Sequence, residues 1–339
     1  MDLVSHCTHR MLPERFAFPC WLALAFAGVA MCQQGPAPGL GYKEIPQWPA
    51  PAITVAGTPA GPWNFGQVTA AAVTAQGNVL VLHRGAHPIM EFDPAGKFLR
   101  SWGNELISEG KVVAVPPERR APGASGYTAV YGPAGCYSCG VHSVRVDRQG
   151  NIWVVDATGH IIYKMNPQGR VMMTLGTKGV SGMGPKNFNL PTDVAFAANG
   201  DIYVSDGYAN PRVVKYTSGG KYLLQWGARG NAPGEFQLPH NLAVDAQGRV
   251  YVTDRDNQRI EVFDADGKFL HEWKTAGGVS TLFMTKDEQL WAGGTLYSLD
   301  GKVVGALPGP PGGHGTAVSH SGEVYIAQLS GKVQKFVKE

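Results

Sequence analysis

The stretch HSVRVDRQGNIWVVDATGHIIYKMNPQGRVMMTLG, from His142 to Gly176, sets the pattern of the chain. It contains four short apolar runs separated by turns that carry glycine, asparagine or aspartate, which is typical of antiparallel β-strands. Five further copies of this pattern, the last two degenerate, begin near Thr69, Thr192, His240, Leu282 and His314. The chain is therefore a repeat of one four-stranded unit.

Four strands per unit at a period of about 40 to 50 residues predict an all-β, six-bladed β-propeller. The sixth copy reaches Glu339 one strand short. We expect Ala52–Gly57 to supply that strand, because AITVAG resembles the fourth-strand sequences MMTLG and LLQWG. Closing the ring in this way removes exposed sheet edges. The predicted propeller spans residues 52–339.

Composition excludes one class of function. The chain has 339 residues with 45 Gly and 24 Pro, which suits a single large domain with many tight turns. Its formal net charge is only +3 and 16% of its residues are charged. No cluster of lysine or arginine is long enough to follow a phosphate backbone, so we expect no nucleic-acid partner.

The N-terminal residues 1–32 predict a signal peptide or an N-terminal anchor. Arginines precede an apolar run that ends at Cys32, with a plausible cleavage point near Ala30 and an alternative start at Met11. Cys32 also allows lipidation. We expect a secreted or periplasmic protein that touches a membrane only through this segment if it stays uncleaved. The proline-rich residues 33–51 predict an exposed tether.

Three histidines occupy one phase of the repeat. His142, His240 and His314 each precede a turn glycine by eight residues, in the second, fourth and sixth copies. Equivalent positions in a closed ring point the same way, so we expect three imidazoles around the axis. Three neutral imidazoles with one open position are typical of catalytic zinc. The alternative is that axial residues simply happen to be histidine.

Another phase carries candidate catalytic residues. Arg84 and Arg255 stand seven residues after a turn glycine, and Tyr208 stands eight after one. These loops should share the end of the propeller that holds the histidines. Arginine there can hold a carboxylate, and tyrosine beside a metal can act as a base. The alternative is a set of solvated rim residues.

Aspartates also recur, six residues after the turn glycine, and we interpret them as structural caps. They are Asp156, Asp206 and Asp254. Residues 104–135 interrupt the repeat and predict a long loop. Cys136 and Cys139, just before His142, allow either a metal site or a short-range disulfide, and we favour the disulfide in an exported protein.

The lyase domain of the peptidylglycine α-amidating enzymes, a six-bladed propeller of NHL-type repeats, resembles four stretches of this chain: VLHRGAHPIMEFD, VHSVRVDRQGNIWVVD, LPTDVAFAANGDIYVSDGYANPRVVKY and LPHNLAVDAQGRVYVTDRDNQRIEVF. The resemblance covers about Gly57 to Val337. It implies that the three histidines bind zinc and that Tyr208 is the catalytic tyrosine. It also implies that Arg84 is the substrate-binding and catalytic arginine, with Arg255 a second active-site arginine.

The chain departs from that family at three positions. Gly315 follows His314 where the family has an aspartate that helps bind a structural calcium, so calcium is doubtful here. Gly312 replaces a methionine, and Ala209 replaces a cysteine of a family disulfide.

The resemblance predicts a zinc-dependent lyase that cleaves a peptidyl- or N-acyl-α-hydroxyglycine to an amide and glyoxylate. The substrate would carry a C-terminal carboxylate, and we expect a monomer. Two other classes stay open: a secreted propeller that binds protein, peptide or glycan without chemistry, and a lactonase-type hydrolase. The hydrolase would need a carboxylate-rich calcium site, whereas the axial residues here are histidine, threonine and serine.

Overall fold

The computed structural model describes residues 37–53, 59–61, 63, 65–85, 87–108, 110–120, 126–130, 140–309 and 312–339. The predicted leader, Cys32, and the Cys136–Cys139 pair lie outside the described residues. Within the described ranges, no helix is long and apolar enough to span a membrane. Helical structure there is restricted to two single 3₁₀ turns, Pro117–Arg119 and Arg255–Asn257.

The strands follow the repeat. Before the first complete blade come β1 (Tyr42–Ile45), β2 (Ala52–Ile53) and β3 (Pro59–Gly61). Blade one consists of β4 (Val68–Val73), β5 (Val79–His83), β6 (Ile89–Phe92) and β7 (Phe98–Trp102). A hairpin follows, formed by β8 (Lys111–Ala114) and β9 (Tyr127–Val130). Blade two consists of β10 (Val141–Val146), β11 (Ile152–Asp156), β12 (Ile161–Met165) and β13 (Val171–Gly176).

The remaining four blades continue the same order. Blade three consists of β14 (Asp193–Phe196), β15 (Ile202–Asp206), β16 (Arg212–Tyr216) and β17 (Tyr222–Trp226). Blade four consists of β18 (Pro239–Val244), β19 (Val250–Asp254), β20 (Arg259–Phe263) and β21 (Phe269–Lys274). Blade five consists of β22 (Leu282–Met284), β23 (Leu290–Ala292), β24 (Thr295–Tyr297) and β25 (Val303–Ala306). Blade six contains β26 (Gly315–Val318), β27 (Val324–Gln328) and β28 (Lys332–Lys338).

Burial explains the sequence pattern of each blade. The second strands, such as β11 and β19, are buried at every residue because both faces pack against neighbouring blades. The outermost strands β13 and β17 instead alternate between less and more exposed side chains, since their outer face meets solvent. The apolar cores lie between adjacent blades, as where Trp153 of blade two packs against Phe196 of blade three. The predicted all-β six-bladed propeller is confirmed.

The ring closes through a different N-terminal segment from the one predicted. In blade six, β1 pairs antiparallel with β28, so the sheet order is β1-β28-β27-β26. The prediction that Ala52–Gly57 supplies this strand is wrong, because Ala52–Ile53 pairs with Pro59–Gly61 in a separate hairpin. Residues 54–57 of the predicted strand lie outside the described residues. An N-terminal strand does complete the last blade, as expected.

Aromatic packing explains why Tyr42–Ile45 closes the blade. The Tyr42 ring meets Trp291 edge-on at 6.0 Å, and its hydroxyl donates to the Gly322 carbonyl over 3.0 Å. A few residues on, the buried Trp48 packs against Tyr325 at 4.9 Å. Residues 37–51, predicted to be an exposed tether, therefore belong to the propeller, and residues from Ala37 onward form one compact unit.

We expect deletion of residues 1–46 to destabilise the whole ring, whereas deletion of residues 1–36 should leave the melting temperature nearly unchanged. The longer deletion removes β1 and leaves an edge of β28 unpaired. A loss of a few kcal/mol in a chain of this size lowers Tm by roughly 5–10 °C. Differential scanning calorimetry of both truncations checks this, and equal Tm values would contradict the closure.

The recurring aspartates act as structural caps, as predicted. Asp206 pairs with Arg212 at 2.9 Å, and Asp254 pairs with Arg259 at 3.1 Å, with all four side chains almost fully buried. Each carboxylate also accepts hydrogen bonds from backbone amides of the loop that precedes its blade. Asp156 accepts hydrogen bonds from the amides of Ser108 and Gly159. These contacts fix the loops at one end of the propeller.

Candidate active site

Three histidines from alternate blades meet at the axis. The ligand nitrogens of His142, His240 and His314 all lie within 4.8 Å of one another, and the two Nε2 atoms of His142 and His240 are 3.2 Å apart. All three side chains are buried. The sequence prediction that these residues converge is confirmed. The more general part of the metal prediction, that the three residues could hold a metal ion, is confirmed with it.

Local irregularities in the innermost strands lie at two of these histidines. The β10–β11 register shifts between Val141 and Ser143, so His142 lies at the irregularity. The β18–β19 register shifts in the same way between Pro239 and Asn241, around His240. Bulges of this kind re-aim a side chain relative to the pleat. The side chains of His142 and His240 therefore leave their strands where the regular pleat is interrupted.

Each imidazole is held by the next blade in the ring. Nδ1 of His142 lies 2.5 Å from the Thr192 carbonyl oxygen, whereas Nδ1 of His240 and of His314 lie 2.8 Å from the carbonyl oxygens of Ser280 and Thr69, respectively. A carbonyl oxygen only accepts, so Nδ1 must carry the proton. Nε2 of each ring then presents a lone pair to the axis, which is the state in which histidine binds a metal.

Burial keeps the three rings neutral. It lowers the pKa of His142 and His240 well below 6.5, and the neighbouring imidazoles and arginines lower it further. Burial and then the Arg84 guanidinium lower the pKa of His314 to about 4. Two unprotonated Nε2 atoms 3.2 Å apart share no hydrogen between them. Such a cluster of lone pairs favours a cation among them, so the donor set fits a metal ion.

The metal-free protein should lose stability as the pH falls from about 7 to 4. The folded-state pKa values of the three rings lie below the unfolded value of about 6.5, so below that pH the unfolded chain takes up protons that the folded chain does not. His314 alone would account for about 3 kcal/mol at pH 4, since its folded pKa is about 4. Stability contributed by neutral histidine is therefore present above about 6.5 and lost on acidification.

Thermal unfolding of the protein stripped of metal with a chelator, measured between pH 7.5 and 4, gives this loss. The variant His314→Asn keeps an N–H donor for the Thr69 carbonyl but removes one titrating ring. The fall in Tm with decreasing pH should therefore be shallower in the variant than in the wild type. Parallel declines in the two proteins would show that these rings do not cause the acid sensitivity.

Tyr208 lies directly over the histidines. It follows β15, and its hydroxyl oxygen is 3.1 Å from Nε2 of His142 and 3.3 Å from Nε2 of His240. Although it belongs to a loop, its side chain is only 6% exposed. The hydroxyl is therefore the polar atom placed to reach a group bound at the three nitrogens.

Two arginines flank this tyrosine, as the sequence predicted. The guanidinium carbon of Arg255 lies 5.8 Å from the centre of the Tyr208 ring. Arg84 lies near enough to interact electrostatically with Tyr208, and burial lowers the Arg84 pKa. Its Nη1 donates to Oε1 of Gln67 at 2.6 Å. The structure thus brings all six sequence-predicted site residues to one end of the axis.

The sequence did not point to five other contributors. The backbone carbonyls of Thr69, Thr192 and Ser280 orient the imidazoles, although their side chains only marked positions without histidine. Gln67 contacts Arg84. Tyr127, from the insertion predicted as a loop, contacts both Arg255 and Tyr208. A side-chain pattern carries no signal for a carbonyl, and the insertion has no counterpart in the repeat.

Comparison with known proteins agrees with the repeat architecture. The NHL repeat model matches residues 188–216 and 236–263. A probable peptidyl-alpha-hydroxyglycine alpha-amidating lyase of Caenorhabditis elegans is 28% identical over 295 residues, which cover 78% of this chain and 81% of that protein. This chain is a relative of the peptidyl-α-hydroxyglycine α-amidating lyases.

A second relative is a much longer protein than this chain. The peptidyl-glycine alpha-amidating monooxygenase of Mus musculus is 32% identical over 248 residues, covering 70% of this chain but only 24% of the mouse protein. The chain therefore spans about a quarter of that relative's length. Among solved structures, a streptogramin B lyase aligns with a TM-score of 0.54 at 14% identity, over 88% of this chain and 97% of that one. At that identity the match bears on the propeller fold alone.

Proposed function

We propose that this protein is a zinc-dependent lyase that cleaves a peptidyl- or N-acyl-α-hydroxyglycine to the corresponding amide and glyoxylate. One observation carries the proposal: a phenol oxygen lies within 3.3 Å of two inward-facing imidazole nitrogens. Two guanidinium groups stand on the same side. Relatives named as lyases for α-hydroxyglycine compounds support an enzyme of this class.

The metal would be held by His142, His240 and His314. Three neutral nitrogen donors suit zinc, which takes three protein ligands at catalytic sites and leaves one position for substrate or water. When bound, zinc supplies Lewis acidity toward an oxygen of the substrate. Since the donor nitrogens are buried, a bound substrate oxygen would meet little competing water.

Tyr208 would handle the proton. In the reaction the α-hydroxyl loses its proton, a C=O bond forms at that carbon, the C–N bond breaks, and the departing amide nitrogen gains a proton. Tyr208 as phenolate would take the hydroxyl proton and then return it to the nitrogen, so atoms and charge balance over the cycle. Its oxygen stands beside the metal-binding nitrogens, where the hydroxyl would lie.

Arg84 and Arg255 would bind the carboxylate that ends up in glyoxylate. A guanidinium recognises a carboxylate through a planar fork of N–H donors. Both arginines also place positive charge near Tyr208. Export of the chain, its monomeric state and a leader in residues 1–32 stay predictions from the sequence.

Glyoxylate release tests the function. The zinc-loaded protein should release one glyoxylate per molecule of N-acyl- or peptidyl-α-hydroxyglycine consumed, whereas the matched N-acylglycines, which lack the hydroxyl, should give none. Chelation should abolish release and added zinc should restore it. A protein that carries stoichiometric zinc yet releases no glyoxylate from any member of the panel would contradict the proposal.

A further inference from the structure

The hairpin β8–β9 is an insertion that reaches the active site from outside the repeat. Its base is tied to blade two, where the Tyr163 hydroxyl donates to the Leu106 carbonyl over 2.8 Å and the Ser108 amide donates to Asp156 over 2.7 Å. Ile107 is buried in the core between blades one and two. The insertion therefore leaves blade one along a fixed path.

At the far end of this insertion, Tyr127 contacts two candidate catalytic residues from two other blades. Its hydroxyl oxygen accepts a hydrogen bond from Nη2 of Arg255. Its ring packs edge-on against Tyr208, with 4.9 Å between ring centroids. The Arg255 guanidinium carbon lies 5.3 Å from the Tyr127 ring and 5.8 Å from the Tyr208 ring, so it is held beside both aromatic faces.

The chemistry of these contacts differs from that of an ordinary ion pair. Nε of Arg255 already donates to the Asp256 carboxylate at 2.9 Å, on the more exposed side of the site. A phenol fixes Nη2 with a neutral acceptor, so it directs the guanidinium without adding a second negative charge. The cation then keeps its capacity to bind an incoming carboxylate.

We propose that Tyr127 is a positioning residue that orients Arg255 toward the carboxylate of the substrate. The inference rests on the proposed function, because it takes the carboxylate of an α-hydroxyglycine as the group that Arg255 binds. Tyr127 acts through Arg255, and the hairpin that carries it is thereby part of the carboxylate pocket.

Binding of glyoxylate to the zinc-loaded protein, measured by isothermal titration calorimetry, tests this without requiring turnover. Tyr127→Phe removes only the hydroxyl and should raise the glyoxylate Kd about 10-fold, the scale expected for loss of a hydrogen bond to a charged group. Arg255→Ala should raise Kd at least as much. The double variant should match Arg255→Ala, because without the guanidinium the Tyr127 hydroxyl has nothing to orient.

Tyr163→Phe provides a matched control. It removes a hydroxyl that ties down the same insertion but makes no contact with Arg255, so its glyoxylate Kd should stay within about 2-fold of wild type. Equal losses in the Tyr127 and Tyr163 variants, additive losses in the double variant, or no glyoxylate binding by the wild type would each overturn the proposal. If glyoxylate binds and the Tyr127 and Arg255 substitutions are coupled as expected, but the protein shows no lyase turnover, the proposed reaction is wrong and the role of Tyr127 stands.

Discussion

Tyr208→Phe is expected to lower the rate of glyoxylate release by roughly 10²–10⁴-fold, the usual cost of losing a general base. The substitution removes one oxygen, which stands 3.1 Å and 3.3 Å from the Nε2 atoms of His142 and His240. The ring and its contacts with Tyr127 remain, so Tm and zinc content should match wild type. Steady-state release of glyoxylate, with metal analysis of the same sample, measures both.

A second tyrosine of the same blade supplies the control. Tyr203 is buried on β15, and its hydroxyl donates to the Ala265 carbonyl over 3.2 Å, away from the histidines. Tyr203→Phe should therefore keep turnover within about 3-fold of wild type, as expected when a hydrogen bond is lost outside the chemistry. Wild-type turnover by Tyr208→Phe would show that the proposed proton transfer is wrong, even if the metal site is real.

The repeat explains why so much of the site was predictable. In a closed ring each blade places a given phase of its sequence at the same height and distance from the axis. The spacing from the turn glycines is therefore enough to predict that His142, His240 and His314 meet, although up to 172 residues of sequence separate them. The same spacing predicts that Arg84 and Tyr208 lie at the end of the propeller that holds the histidines.

The errors arose where the repeat ends or is interrupted. AITVAG matched other fourth strands in local sequence, but any β-prone segment can pair with an open edge. Long-range packing decides which segment pairs with β28. Tyr42 contacts Trp291 and the Gly322 carbonyl, both more than 200 residues away in sequence. The role of Tyr127 is equally hidden, because in the part of the chain that the structure describes no later blade is preceded by an equivalent of the β8–β9 hairpin.

His240→Ala is expected to lose most of the bound zinc. His240 is fully buried, and its Nδ1 is fixed by the Ser280 carbonyl, so its Nε2 is one of three preoriented donors. Two donors remain in the variant, and zinc affinity should fall by more than about 100-fold, since loss of an outer-shell partner alone costs 10- to 100-fold. Metal analysis after dialysis against a weak chelator should give about one zinc per chain in the wild type and far less in the variant.

Two further variants serve as controls for the zinc measurement. His240→Asn can still donate to the Ser280 carbonyl, so a variant that folds like wild type but lacks zinc would assign the loss to the missing ligand nitrogen, and not to a collapsed site. Cys136→Ser should keep its zinc, because the three imidazoles already supply the donor set of a catalytic zinc site. If both histidine variants retained stoichiometric zinc while Cys136→Ser lost it, the metal would belong to the cysteine pair. The three neutral imidazoles that face one another at the axis would then be expected to bind a different cation.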